Sequence, residues 1–68
     1  LTNTALAAWT SGTEHGLVWW SDGSTGEAAL SLSFEPTGIE VYLLDDGIHA
    51  VVVAHSTDTV EMAVFQLF

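Results

Sequence analysis

Three histidines, His15, His49 and His55, are the only side chains in this 68-residue chain that can become cationic, because it holds no lysine and no arginine. Their spacing argues against a metal centre. His49 and His55 lie six positions apart in a β-rich stretch, so they share a face but stand about 20 Å from one another along an extended strand. One zinc ion, with ligands at about 2 Å, cannot reach both. Glu14-His15 supplies at most one further ligand pair. The segment Asp22-Gly23-Ser24-Thr25-Gly26-Glu27 alternates oxygen ligands as calcium loops do, but its carboxylates are only Asp22 and Glu27 and it departs from the EF-hand pattern. It reads as a solvated hairpin turn. His55, Ser56 and Asp58 have the residue types of a hydrolytic triad, yet a triad is a spatial arrangement and neighbours in one loop do not make one. Asp45-Asp46 is a turn-forming pair. The expectation is no catalytic residue, no metal, no cofactor and no enzymatic activity.

The aromatic residues offer binding rather than chemistry. Trp9, Trp19, Trp20 and Tyr42 have the make-up of a carbohydrate platform, in which ring faces stack on sugars and carboxylates accept hydroxyl bonds. Trp19 and Trp20 are consecutive, so in a strand they point to opposite faces and one of them belongs to the core. Trp9 and Trp20 are the ligand-facing candidates. His49 is the candidate pH sensor, expected beside Leu44 and Phe65. An imidazole gains charge below a pH of about 6.5. Protonating the three histidines would remove three units of negative charge and favour association in acid.

The charge balance bounds the partners. Nine acids against no Lys or Arg give a formal net charge of −9, whereas an average domain of this length carries about eight basic residues. Phosphate contacts need Lys or Arg, which excludes ordinary nucleic-acid binding, and anionic membrane surfaces repel such a chain. No stretch approaches the roughly 20 apolar residues of a membrane-spanning helix. A maturation protease that cuts after basic residues leaves segments without them, and this predicts a secreted product processed from a precursor. The start at Leu1 and the end at Phe68 in an apolar run fit that expectation. Without cysteine there is no disulfide, and a domain this small ordinarily needs a staple. A second copy or a second polypeptide is the expected one.

Turn signals at 21–26, 35–38, 45–47 and 56–58 punctuate apolar runs rich in Val, Ile, Trp and Phe. They predict one small all-β domain over residues 1–68, an antiparallel meander of five to six strands closing as a sandwich or a partly open barrel. The strands are expected at 16–20, 27–34, 39–44, 48–55 and 59–67. Residues 4–9 form either one helical turn capped by Thr4 or an edge strand. A two-residue Asp46-Gly47 turn sets Leu43 opposite Ala50, Val41 opposite Val52 and Ile39 opposite Ala54. One face is then wholly apolar. A five-residue connection after Ala54 adds Val60, Met62 and Val64 to it.

The opposite face is expected to carry Tyr42, Leu44, Val51, Val53, Phe65 and Leu67, diluted only by Glu40, His49, His55 and Glu61. Either Leu17, Trp19, Leu30 and Phe34 of the N-terminal strands fold across one side while a loop shields the other, or, the favoured expectation, a second chain or a copy of this one lies on that face. The expected interface residues are Tyr42, Val51, Val53, Phe65 and Leu67. Thr59–Phe68, free of proline and nearly uncharged, suits strand addition. The function this predicts is protein–protein contact or self-assembly, as a toxin or effector subunit or a surface-assembly protein. The alternative is a binding module, for carbohydrate or as an acidic inhibitor of a basic cleft.

Overall fold

The computed structural model describes residues 3–68 and contains six strands and no helix. β1 (Thr4–Ser11), β2 (Glu14–Ser21) and β3 (Ser24–Leu30) form one antiparallel sheet, and β4 (Gly38–Leu43), β5 (His49–His55) and β6 (Val60–Gln66) form the second. The sheets pack as a sandwich whose shortest extent is 14 Å, as expected for layers about 10 Å apart. β1 packs against β4 without ladder bonds between them. Residues 4–9 take the strand alternative and form no helical turn. Strand pairing with Glu14–Ser21 satisfies their backbone and places Leu6 against the core.

Both hairpins of the first sheet are tighter than their sequences suggest. Ser11 pairs with Glu14 across Gly12-Thr13, with Gly12 at φ 61°, the arrangement of a type II′ turn. Ser21 pairs with Ser24 across Asp22-Gly23, whose φ values of 47° and 86° are those of a type I′ turn. The Asp22–Glu27 stretch is therefore half turn and half strand. β3 starts at Ser24 rather than residue 27, and it ends at Leu30 rather than 34.

The β4–β5 register is the expected one, with Leu43 opposite Ala50, Val41 opposite Val52 and Ile39 opposite Ala54. Its turn is wider than expected. Leu44 N donates to His49 O at 2.9 Å, and Gly47 N donates to Leu44 O at 3.0 Å, so four residues close the loop. Only Gly47 has positive φ there, at 71°. Asp46 instead spends its side chain on the turn: one carboxylate oxygen accepts from the Ile48 and His49 amides at 2.8 and 3.0 Å. Two-residue and four-residue loops differ symmetrically, which preserves the pairing.

The β5–β6 connection overturns one expectation. β5 runs through His55, and Ser56–Thr59 closes the loop, with Ser56 N donating to Thr59 O at 2.8 Å. Ala54 therefore faces Glu61, Val52 faces Ala63 and Ala50 faces Phe65. The connection is one residue shorter than the sequence reading allowed. A one-residue slip inverts every side chain of a strand. Val60, Met62 and Val64, expected in the core, stand on the outer face; Glu61, Ala63, Phe65 and Leu67 turn to the inner side.

The core lies between the sheets. Leu17, Leu30, Ala50, Val52 and Leu67 are buried, with Leu6, Trp19, Leu32, Ile39, Val41 and Phe65 packed around them. Leu17 is fully enclosed, a burial that contributes about 1.5–3 kcal/mol. Trp19 lies across Gly26 of the neighbouring strand, where a Cβ would overlap the indole. The missing side chain is what lets so large a ring lie flat inside a thin sandwich.

Candidate functional site

The candidate residues do not gather at one place. Trp9 and Trp20 share the outer face of the first sheet. Trp9 covers Gly16, its cross-strand neighbour, and Trp20 stands opposite Ala5. Their anchoring positions on β2 are four residues apart, about 13 Å. Trp19 points into the core, as consecutive positions require. Tyr42 belongs to the outer face of the other sheet, on the far side of the molecule. The four aromatics thus make no common platform.

The histidines are separated too, and each faces a carboxylate. His15 is buried at 6% exposure, accepts or donates a 2.8 Å bond with Thr10 Oγ1 through Nδ1, and holds Nε2 at 3.5 Å from Glu35. His49 Nδ1 meets Asp46 Oδ2 at 2.6 Å. His55 Nε2 meets Glu40 Oε2 at 3.0 Å, with its ring over Gly38. In a chain with no Lys or Arg, these are the positions where acids find a partner that protonation can make cationic. Asp46, held by the amides of Ile48 and His49 and then by the imidazole, titrates at about 2, below the ordinary carboxylate range. The Tyr42 hydroxyl donates to Glu40 Oε1 at 3.1 Å, and that bond with the nearby negative charge pushes the phenol up. His49 sits beside Leu44 as expected, but its β6 neighbour is Gln66 rather than Phe65.

A cleft of about 580 Å³ opens between the Gly12-Thr13 turn and the 31–35 crossover, lined among others by Trp9, Glu14, His15, Phe34 and Glu35. Among the described residues, no three His, Asp or Glu side chains converge to hold a metal, and no buried side-chain nitrogen or oxygen lacks a partner. His55, Ser56 and Asp58 form no relay: Ser56 Oγ donates to Asp58 Oδ1 at 3.2 Å, while His55 turns to Glu40.

What the structure does assemble is a surface. The outer face of the second sheet carries Tyr42 from β4, Val51 and Val53 from β5, and Val60, Met62 and Val64 from β6, paired laterally as Tyr42–Val51–Val64 and Val53–Met62. Exposure is 70% at Val60, 68% at Met62, 62% at Val64 and 52% at Tyr42. The five interface residues expected from sequence divide here. Tyr42, Val51 and Val53 lie on this face, while Leu67 is buried and Phe65 packs on the core. That is a correction, and its cause is the four-residue Ser56–Thr59 loop. Sequence reasoning missed Val60, Met62 and Val64 for the same reason; the loop length was the only missing datum.

No helix among the described residues is long and apolar enough to cross a membrane. Comparison with protein-family models, curated proteins and solved structures finds no match for the chain.

Proposed function

We propose that the chain acts through protein–protein contact, and that the outer face of β4–β6 is the contact surface. The observation that carries this reading is the lateral continuity of Tyr42, Val51, Val53, Val60, Met62 and Val64, with the β6 row more than three-fifths exposed. Large contiguous apolar patches are uncommon on isolated soluble domains and mark interaction sites. Asp45 and Asp46 stand at one end of the patch and Asp58 at the other; Glu40 shares the face beside Val53, on the edge strand β4, where it accepts from Tyr42 and is engaged by His55. An apolar centre with a polar rim is the anatomy of a protein interface. The composition supports a secreted, protease-matured subunit of an assembly, since a chain without Lys or Arg survives proteases that cut at basic residues.

Light scattering and sedimentation of the pure chain across a concentration series test this. Association of the wild type, lost in Val53→Asp and Tyr42→Asp while the unfolding midpoint in dilute solution holds, supports the surface. Variants that associate as the wild type does refute it. A second reading draws on Trp9 and Trp20, exposed on the opposite outer face: carbohydrate stacking there would quench tryptophan fluorescence independently of salt, whereas capture of a basic partner weakens as salt rises.

A further inference from the structure

The sandwich has two free strand edges. β2 and β5 are central in their sheets; of the four edge strands, β1 and β4 lie close to each other without ladder bonds, and β3 and β6 are the two with no other strand packed beside their open side. β3 contains Gly26 and carries Glu27 in mid-strand. β6, Val60–Gln66, has no glycine and no proline, and its single charge, Glu61, is turned inward to the amide and hydroxyl of Ser33 at 3.2–3.5 Å. Natural edges are most often blunted with lysine, proline or a bulge. This one has none of the three; its inward-turned Glu61 is the one such device it carries.

The hydrogen-bond phase of that edge is fixed by its two ends. Leu67 N donates to Ile48 O at 2.7 Å, and Ser56 N donates to Thr59 O at 2.8 Å. Alternation in an antiparallel ladder then commits the amides and carbonyls of Glu61, Ala63 and Phe65 to β5. Those of Val60, Met62, Val64 and Gln66 point to the open edge. Among the described residues, no loop or other strand supplies them with a backbone partner. The same four residues present their side chains on the outer face.

We propose that this edge receives β6 of a second copy of the chain, antiparallel, about a two-fold axis through Ala63. Only in that register do the four free residues pair wholly among themselves: Met62 with Val64 of the second copy and the reverse, Val60 with Gln66 and the reverse. The outer row becomes an uncharged cross-strand ladder with Met62 and Val64 at its centre, and Glu61 stands opposite Phe65, so no carboxylate faces a carboxylate. That matters in a chain of net charge −9. An edge whose one carboxylate is turned away from its open row suits a partner of the same sign. The inference rests on the outer face being the contact surface and deepens it: pairing joins two three-stranded sheets into one of six, with a face twice as wide.

The chain has no cysteine, so single replacements report cleanly. In the proposed register Ala63 meets its own copy as a non-hydrogen-bonded pair, with Cα atoms about 4.5 Å apart, inside the range a disulfide spans. Val60 lies about 20 Å from its own copy, six residues along the ladder. Under mild oxidation the Ala63→Cys variant should double its mass on a non-reducing gel, and Val60→Cys should stay single. Val64→Pro, which removes an amide aimed at the open edge, should halve the mass by light scattering while near-ultraviolet dichroism holds. Association of the wild type should tighten as salt screens like charges. Association that persists while both cysteine variants stay single, or cross-link equally, overturns the edge pairing and leaves the surface reading intact. A wild type that never associates overturns both.

Discussion

Two neighbouring residues of β6 should respond oppositely to the same substitution. Phe65 packs on the core, and Val64, one position earlier, is 62% exposed on the outer face. A folded chain of 68 residues has a stability of about 3–10 kcal/mol at 0.05–0.15 kcal/mol per residue. Removing the Phe65 ring costs about 3–5 kcal/mol, and an aspartate in its place adds the desolvation of a carboxylate with no cation nearby. Phe65→Asp therefore consumes most of the available stability. Val64→Asp is a surface change worth about 0.5–1 kcal/mol, mostly β preference. The gap of at least about 2 kcal/mol corresponds to about 1 M or more in the urea midpoint for a slope of about 2 kcal/mol/M. Tryptophan fluorescence follows it, since Trp19 is internal. Concentration separates association from folding: the Val64→Asp effect shrinks on dilution, because it acts through mass action, and the Phe65→Asp effect does not. Equal midpoints, or a larger loss at Val64, would mean that the Ser56–Thr59 loop does not set this register, and the contact surface would fall with it.

Asp46 titrates at about 2 because folding gives its carboxylate the amides of Ile48 and His49; the unfolded value is about 3.9. A depressed folded value means that its contribution is complete above the unfolded value and fades as pH falls through 4 towards 2. The urea midpoint of Asp46→Ala should accordingly decline less over that window than the wild type's, and parallel declines would refute the assignment. At Gly26, a Cβ would collide with the indole of Trp19, which is packed against the core between the sheets. Gly26→Ala should cost about 1–3 kcal/mol and shift the tryptophan emission to the red. Gly16→Ala displaces Trp9 on the open outer face and should cost less; equal costs would contradict the inward and outward placement of the two rings.

Much of the fold was legible from residue types because the local signals agreed. Turn residues and β-branched runs gave an all-β meander, and alternation gave the Ile39–Ala54 face with its correct pairing. The Asp46-Gly47 hairpin came through even though the turn geometry differed, because lengthening a loop by one residue on each side leaves the pairing unchanged. The β5–β6 loop had no such tolerance. Ser56-Thr57-Asp58 marks a turn but does not say whether His55 belongs to the strand, and that one residue decides which face each side chain of β6 takes. Tyr42, Val51 and Val53 were placed by the secure hairpin; Phe65 and Leu67 were misplaced by the insecure one. The N-terminal strand was ambiguous because Ala-rich segments satisfy either period, and tertiary pairing with β2 resolved it. The aromatic-on-glycine pairs, Trp9 on Gly16 and Trp19 on Gly26, leave no sequence-local signal at all: they appear only once the register aligns them.

The absence of lysine and arginine bears on the surface more than on the fold. The interior requires neither, and Leu17, Val52 and Leu67 pack without help from charge. At the boundary the loss is felt twice. Acids must find relief among themselves, in backbone amides or in three histidines, and Asp46, Glu40 and Glu35 do so. The open edge of β6 loses the residue that natural sheets most often use to keep other strands away. Carboxylates along the outer row of that edge would repel another strand most directly; its one acid, Glu61, is turned inward to Ser33. The aspartates stand in turns instead, at Asp22, Asp45, Asp46 and Asp58. The outer row of β6 is Val60, Met62, Val64 and Gln66, with no acid among them. Charge is abundant in this chain and none of it stands on the outer row of β6, as the proposed pairing requires.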